Sequence, residues 1–456
     1  MCAMVVSLLG DMLMEKEDEE ESVKNDDVDG AWWERYLVTT VEVLPVIDRQ
    51  ALGLGERQTE EGKRREEEEE EEEVFVRVES HLGVLASKLR DILVVARKRL
   101  LRYNVVDIDT DEYSKEKEEE AASRCICVFN GDAETYWNLR KQRALSALAK
   151  NDEEDDDDDD DDEDVIIGAS KSIARARLFD ELHLCDLALQ IRPKAAASWS
   201  HRQWVLRQLR DSMLRHQSLD DTDDDNACNE HNNVCSSREL ISVIRHEMCV
   251  VDAANMRRRR NLYAWQHRQR VIETFAPLLG NQRADALIEN ELGEMSIRMR
   301  SNVSDHSLHH YMRQLVLLRA RHSSSLLPEM LVDQIEINAS LIEIHPASES
   351  LWIHRRFLFD MSCCQGTMTT SAMTTDDELH FASRFYKGDT ISGEALKYAL
   401  WIAVKSRARA DGCDKRDGCW AEETVVVARE LVCRRPFHAK LYNHIGNLLA
   451  ALHENG

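Results

Sequence analysis

The sequence predicts an all-α protein built from repeated helical hairpins, and three observations carry this prediction. Only 6 of the 456 residues are proline and 17 are glycine, while 43% are hydrophobic. Few chain breakers with abundant Leu, Ala, Arg and Glu favour long helices over many short strands. Apolar residues recur at intervals of three and four, as on one face of a helix. A Trp-x-x-Arg sequence also recurs along the chain, which is typical of stacked helical repeats.

The N-terminal region, residues 1–75, is acidic and shows little periodicity apart from a short element expected over Glu42–Leu54. We expect this region to be largely disordered, because it has few apolar residues to bury. From Val74 the apolar spacing predicts a helix that ends in the basic segment Arg97–Arg102, since cations are favourable at a helix C-terminus. Residues 76–456 are therefore assigned to a helical-repeat domain.

Two acidic runs contribute most of the formal net charge of −27. Glu66–Glu73 is eight consecutive glutamates, and Asp152–Asp164 is thirteen consecutive acidic residues. Such runs repel themselves, so both are expected to be disordered. Disordered polar inserts are expected near residues 151–164, 211–237 and 361–377, because loops of a repeat scaffold lengthen at small entropic cost. An anionic chain is a poor general binder of nucleic acid.

Several other classes of protein are disfavoured by the sequence. No stretch of eighteen uninterrupted apolar residues exists that would span a membrane. Met1–Gly10 is apolar but has no basic flank, which argues against a secretory signal. The twelve cysteines are scattered without the paired Cys/His spacing of a zinc site, so we expect reduced thiols, no metal and no cofactor in this chain. The expected localisation is cytoplasmic.

The recurring Trp-x-x-Arg sequence, called the frame below, defines the repeat. Two further segments fit it in degenerate form, His309–Met312 and Tyr442–Ile445, and the shortest spacings between frames, 44 and 43 residues, indicate a unit of that length. The four full frames pair Trp137 with Arg140, Trp199 with Arg202, Trp265 with Arg268 and Trp352 with Arg355.

Each unit reads as an amphipathic helix, a short break and a second helix that opens with the frame. Pro193 and Pro346 mark two of the breaks, because proline cannot continue the preceding helix. The predicted role of the frame is packing between repeats, with Trp filling the core and Arg bonding a neighbouring helix. Three histidines lie two residues after a frame Trp, and we expect them to form interface hydrogen bonds rather than a metal site: His201, His267 and His354.

The segment from Pro193-Lys194 to Trp199-Ser-His-Arg202, and Asn261-Leu-Tyr-Ala-Trp265-Gln-His-Arg268, resemble the α-subunit repeat of protein prenyltransferases. The resemblance covers roughly residues 120–360. It implies a right-handed superhelical solenoid wrapped around a β subunit that carries the zinc and the lipid pocket. Two further segments resemble the geranylgeranyltransferase branch in particular, Val303–Ser307 and Leu351–Arg356, with the farnesyltransferase α subunit as the competing resemblance.

The resemblance also implies a site. Lys194 matches a lysine that reaches the diphosphate of the isoprenoid, here geranylgeranyl diphosphate, during transfer to a protein with a C-terminal cysteine. Tyr263 is a candidate hydroxyl donor to the same diphosphate, with a packing role as the alternative. Arg257–Arg260 is a candidate for phosphate attraction, or else a solvated corner. Ala196 and Ala197 replace the aromatic and polar residues with which the family helps hold a substrate's C-terminal carboxylate.

The competing hypothesis is a helical-repeat scaffold or adaptor that binds partner peptides and catalyses nothing. The single Pro-Lys corner favours a prenyltransferase α subunit, active only with its β subunit. The two alanines that follow it are compatible with the scaffold hypothesis.

Overall fold

A computed structural model describes residues 40–44, 75–78, 81–102, 112–153, 163–219, 229–322, 327–364, 373–385 and 392–410. The chain divides into two compact units, Met1–Leu279 and Gly280–Gly456. Helices make up nearly all of the described residues, which confirms the predicted all-α class. The right-handed superhelix stays a prediction. No described helix is long and apolar enough to cross a membrane.

A small sheet at the start of the first unit was missed by sequence reasoning. Its strands are β1 (Thr40–Leu44), β2 (Phe75–Val78) and β3 (His81–Leu85), in the order β1-β3-β2. β3 is parallel to β1 and antiparallel to β2. The helix predicted from Val74 was wrong in its start, since α1 spans Ala86–Arg102. Alternating β-branched residues before it suit a pleated surface better than a helix.

Three hairpins follow in the first unit. They consist of α2 with α3, α4 with α5, and α6 with α7, and a 3₁₀ turn over Ala276–Leu279 ends the unit. The helices span Glu112–Phe129 (α2), Glu134–Glu153 (α3), Glu163–Ile191 (α4), Ala196–Leu219 (α5), Asn229–Arg257 (α6) and Leu262–Phe275 (α7).

The second unit contains three further helix pairs, α8 with α9, α10 with α11, and α12 with α13. The helices span Asn281–Ser301 (α8), His306–His322 (α9), Leu327–Ile344 (α10), Glu349–Cys364 (α11), Thr375–Ser383 (α12) and Gly393–Ala410 (α13).

The first five hairpins turn through corners of equal length. Four residues separate the two helices in each, at 130–133, 192–195, 258–261, 302–305 and 345–348. Local chemistry ends the helices there, because Pro193 and Pro346 cannot continue them and Asn261 caps α7 by accepting from the backbone N–H of Ala264 at 3.3 Å. Equal corners place every frame Trp, or the histidine that replaces it, at the same position of its helix.

The helices extend into the segments predicted as inserts. α3 and α4 leave only residues 154–162 between them, α5 and α6 leave 220–228, and α11 and α12 leave 365–374. The outer parts of the predicted inserts are therefore helical, and disorder in the remaining residues stays a prediction. The Glu66–Glu73 run and the degenerate frame at Tyr442 lie outside the described residues.

The core of the first unit joins the sheet to the helices. Val41, Leu82 and Val84 from the sheet are buried with Ile126 and Leu184 from α2 and α4. A polar contact fixes β1 in place, since the Val41 N–H donates to Gln190 Oε1 of α4 at 2.9 Å. The sheet is thereby anchored one residue before the end of α4, beside the corner 192–195.

Candidate functional site

The frame Trp side chains form hydrogen bonds to the backbone of the hairpin corners. Trp137 and Trp199 each donate the indole N–H to a corner carbonyl six residues earlier, at 2.9 Å, and Trp352 does the same at 2.8 Å. All three are almost completely buried. His309, which replaces Trp in the degenerate frame, keeps the bond, with 3.0 Å between its Nε2 and Val303 O. The frame position therefore shapes the corner in repeats of both kinds.

The same corner carbonyls also link one repeat to the next within each unit. Ser198 Oγ donates to Gly131 O at 2.8 Å, and Asn261 Nδ2 donates to Pro193 O at 2.6 Å. In the second unit Ser348 Oγ donates to Val303 O at 3.3 Å. Successive corners consequently lie side by side along one edge of the stack.

Three of the four frame arginines form bidentate ion pairs with the following repeat. Arg202 binds Glu247 through two bonds of 2.7 and 2.6 Å, and Arg140 binds Glu181 through two bonds of 3.0 and 2.7 Å. Arg355 binds Glu378 in the same way at 2.7 Å twice. In every case the glutamate lies on the first helix of the next hairpin, so these pairs join adjacent repeats.

Each of these glutamates also bonds to the second helix of its own hairpin. Glu181 pairs with His201 at 2.9 Å and Glu247 with His267 at 2.6 Å, always twenty residues later. Tyrosine takes the histidine's place at Tyr311, bonded to Glu291, and at Tyr398, bonded to Glu378. We call this set of buried Arg, Glu and His or Tyr side chains the polar ladder.

The charges in the polar ladder compensate each other. Burial alone would raise the pKa of Glu181, but Arg140 and the bond to His201 hold that pKa well below its usual range. Arg202 and His267 do the same for Glu247. Burial in turn lowers the pKa of the histidines. Each histidine is thus a neutral donor to a carboxylate, which is a structural arrangement rather than acid–base machinery.

The ladder is interrupted at one step of the second unit. Met312 stands where other frames have arginine, and Gln334 stands where other repeats have the glutamate. Both members of the ion pair are therefore replaced by neutral residues together. His354 is fully buried, and neither ring nitrogen has a hydrogen-bond partner among the described residues. Burial lowers the pKa of its neighbour His309 to about 4.

Lys194, the residue on which the predicted chemistry depends, lies exposed on the corner 192–195. The structure brings this corner next to the corner 258–261 through the Asn261–Pro193 bond, and Arg257 Nη1 donates to Gln190 O at 3.1 Å. Arg192 and the run Arg257–Arg260 are exposed as well. These six cations, Arg192, Lys194 and Arg257–Arg260, are called the basic edge.

Tyr263 lies on the first turn of α7, directly after this corner, and its side chain is 40% exposed. A packing role for it is therefore at most partial. Ala196 is exposed and Ala197 is half-buried at the start of α5. The frame Trp and Arg residues, by contrast, belong to the interior of the stack and are separate from the basic edge.

A cleft of about 260 Å³ lies between α4 and α6 and was not predicted from the sequence. Leu189 and Val250 are among its apolar lining residues, and Arg257 lines it as well. A hydrogen bond of 2.9 Å joins His246 Nε2 to Asp186 Oδ2 in its wall. No group of three or more His, Cys, Asp or Glu side chains is placed to hold a metal ion in the described parts of the chain.

The fold and its polar ladder define a protein of stacked helical hairpins. Residues 178–209 and 331–362 match the protein prenyltransferase alpha subunit repeat. The first match contains Lys194, Trp199 and Arg202, and the second contains Trp352 and Arg355. The resemblance expected from the frames is therefore confirmed.

Particular relatives carry the same repeat in their names. The chain is 25% identical over 313 residues to protein prenyltransferase alpha subunit repeat-containing protein 1 of Danio rerio, covering 62% of this chain and 63% of the relative. It is 25% identical over 352 residues to the Homo sapiens protein of that name, covering 69% and 76%. It is 26% identical over 322 residues to protein 1-A of Xenopus laevis, covering 63% and 64%. The matched region thus spans less than two thirds of the Danio and Xenopus relatives.

Proposed function

We propose that this chain is the α-type subunit of a heterodimeric protein prenyltransferase, working in the cytoplasm with a β subunit. The observation that carries the proposal is the position of Lys194. It is exposed on a hairpin corner inside a matched prenyltransferase repeat, and it belongs to a basic edge of six cations on a chain with net charge −27. Concentrated positive charge on an acidic protein indicates an anionic ligand.

The chemistry of geranylgeranyl transfer explains what such an edge would do. A cysteine thiolate attacks the first carbon of geranylgeranyl diphosphate, a carbon–sulfur bond forms, and the carbon–oxygen bond to the diphosphate breaks. Negative charge therefore grows on the leaving diphosphate, where a fixed cation stabilises the transition state. Lys194 would supply this charge, and the exposed hydroxyl of Tyr263 would donate a hydrogen bond to the same group.

The remaining parts of the reaction are assigned to the partner. Zinc on the β subunit would lower the pKa of the substrate cysteine, and the β subunit would hold the lipid. Exposed apolar side chains beside the basic edge support a partner on this side, since Met256 is 78% exposed and Leu262 is 45% exposed. A single chain expressed without a β subunit is accordingly expected to be inactive.

The test is single-turnover transfer of labelled geranylgeranyl from its diphosphate to a protein with a C-terminal cysteine, using the co-expressed heterodimer. Lys194→Ala should slow the transfer about 10²-fold with the heterodimer intact, because one electrostatic contact to developing charge is worth about 3 kcal/mol. Lys194→Arg should recover only part of the rate, since a planar guanidinium cannot occupy the same point.

The matched control is Lys98→Ala, another exposed lysine, on α1. It should leave the rate unchanged. An unchanged rate in Lys194→Ala would remove this chain from the chemistry, and activity of the chain alone would contradict the need for a partner.

The second candidate function is a peptide-binding scaffold without catalysis. Ala196 and Ala197 favour it, because small apolar side chains there supply no hydrogen bond to a substrate carboxylate. In that case the co-purified complex would bind peptides and show no transfer of labelled lipid.

A further inference from the structure

We propose that the cleft between α4 and α6 binds a medium-chain fatty carboxylate, with the carboxylate on Arg257 and the hydrocarbon chain along the apolar part of the cleft. This inference goes beyond the proposed prenyl transfer and does not depend on it. The cleft has a volume of about 260 Å³, and its lining combines apolar residues, one arginine and a histidine–aspartate pair. None of its lining residues belongs to the polar ladder.

The apolar part of the cleft is formed by four side chains from the two helices. They are Leu189 of α4 and Val250, Ala253 and Ala254 of α6. Val250 and Ala253 are half-buried, so part of this apolar surface is accessible to solvent. An apolar chain that binds there removes its own surface and that of the cleft from water, which is favourable in proportion to the area buried.

Arg257 supplies a positive charge in the last turn of α6. Its side chain is exposed and lines the cleft, and its Nη1 donates to Gln190 O at 3.1 Å. No carboxylate pairs with Arg257 among the described residues, although the whole chain has a net charge of −27. A guanidinium has five N–H donors and binds a carboxylate through two parallel hydrogen bonds. The charge of this side chain therefore favours a ligand with an anionic end.

The lining residues farthest from Arg257 along α6 are polar, but their charge is compensated. His246 lies eleven residues before Arg257, and its Nε2 is 2.9 Å from Asp186 Oδ2. Asp186 Oδ1 accepts from Arg202 Nη1 at 2.6 Å. Burial alone would raise the pKa of Asp186, but Arg202 and His246 lower it. Because this carboxylate already has two partners, it offers little attraction for a cationic ligand.

The length of the cleft limits the length of the chain. The eleven residues from His246 to Arg257 correspond to about 16 Å of helix. A carboxylate bound to Arg257 leaves space for an extended chain of about ten carbons, since a carbon–carbon bond is about 1.5 Å long. A geranylgeranyl chain is longer than the lined part of the cleft. The dimensions therefore favour a medium-chain fatty acid over a prenyl diphosphate.

Isothermal titration of the full chain with sodium decanoate, below its micelle-forming concentration, tests the anionic end. Arg257→Gln should weaken binding about 5–10-fold, because a charge-assisted hydrogen bond at a partly exposed site is lost. The matched control is Arg258→Gln, since Arg258 is exposed on the adjoining corner and does not line the cleft. It removes the same charge and should change the affinity less than about twofold. Equal losses in the two variants would mean a general field effect and would overturn the site.

Ala253→Phe tests the apolar part of the cleft. Because Ala253 is half-buried and lines the cleft, a larger ring at this position can occupy the cleft without displacing the core. The variant should bind decanoate at least about 10-fold more weakly, and its melting temperature should stay within about 3 °C of the wild-type value. Unchanged affinity in the folded variant would refute the placement of the chain.

Matched ligands separate the contribution of the chain from that of the carboxylate. Decan-1-ol has the chain without the charge, and acetate has the charge without the chain, so each should bind at least about 10-fold more weakly than decanoate. Equal binding of decan-1-ol would contradict the role of Arg257. Tighter binding of a peptide that ends in leucine would assign the cleft to a protein C-terminus and overturn the proposal. None of these measurements uses prenyl transfer, so the outcome is readable even if the proposed function fails.

Discussion

Replacing Arg202 by methionine should lower the free energy of unfolding by about 3–5 kcal/mol, the usual cost of removing one partner from a buried ion pair. Arg202 is fully buried and donates to Glu247 through two bonds of 2.7 and 2.6 Å. It also donates to Asp186 at 2.6 Å and to Leu182 O at 3.0 Å. Its removal leaves Glu247, also fully buried, with the neutral His267 as its hydrogen-bond partner among the described residues.

The chain itself contains the pattern for a compensating change. Met312 and Gln334 occupy the equivalent positions of the interrupted ladder step, so a neutral pair is compatible with this fold. The double variant Arg202→Met with Glu247→Gln should therefore lose only about 2 kcal/mol, which corresponds to the hydrogen bonds to Asp186 and Leu182 O. The double variant should be more stable than either single variant.

Urea unfolding of the four proteins, followed by circular dichroism and tryptophan fluorescence, measures the coupling between the two positions. A single variant that loses less than about 1 kcal/mol would refute the assignment of Arg202 to a buried pair. Additive losses in the double variant would refute the reasoning from charge compensation.

Three further predictions concern packing and pH. Gly131→Ala should lower the free energy of unfolding by about 1–3 kcal/mol, because a Cβ there would lie 2.8 Å from Ser198 Oγ. Gly293→Ala should instead stabilise α8 by about 0.5–1 kcal/mol, because nothing lies within 4 Å of its Cβ position. Thermal unfolding of each variant shows whether stability falls or rises. Trp199→Ala should lower the free energy of unfolding by about 3–5 kcal/mol, since it leaves a cavity where the buried ring lies. Near-normal stability with lost activity would instead indicate that the ring contacts a ligand. Burial lowers the pKa of His309 to about 4, so the unfolded chain binds the proton first as pH falls below about 6.5. The free energy of unfolding should therefore drop by about 3 kcal/mol between pH 6.5 and 4. Urea unfolding of His309→Gln should show a flatter pH dependence, and an unchanged slope would contradict this.

Local signals in the sequence were sufficient for the repeated hairpins. Pro193 and Pro346 stop helices through their own ring geometry, and the frame Trp marks the start of each second helix. Lys194 directly follows Pro193 at such a corner and is exposed there. These features depend on residues within about one helical turn of each other, so a linear reading finds them.

The partners of the frame arginines could not be identified in this way. Glu181 lies 41 residues after Arg140, and Glu247 lies 45 residues after Arg202. In sequence each resembles any other glutamate on an amphipathic helix. A spacing of twenty residues between glutamate and the following His or Tyr was the available signal, but it has meaning only once a hairpin of that length is known.

The sequence by itself therefore determined the helical class, the corners and the identity of the repeat, because these follow from short-range periodicity and residue chemistry. Only the tertiary structure decided that β1, which begins at Thr40, pairs with β3, which begins at His81, and that Gln190 joins the sheet to Arg257. Strand pairing and the side-by-side placement of corners join residues that are far apart in the chain. Their energies depend on distance in space, which periodicity along the chain does not encode.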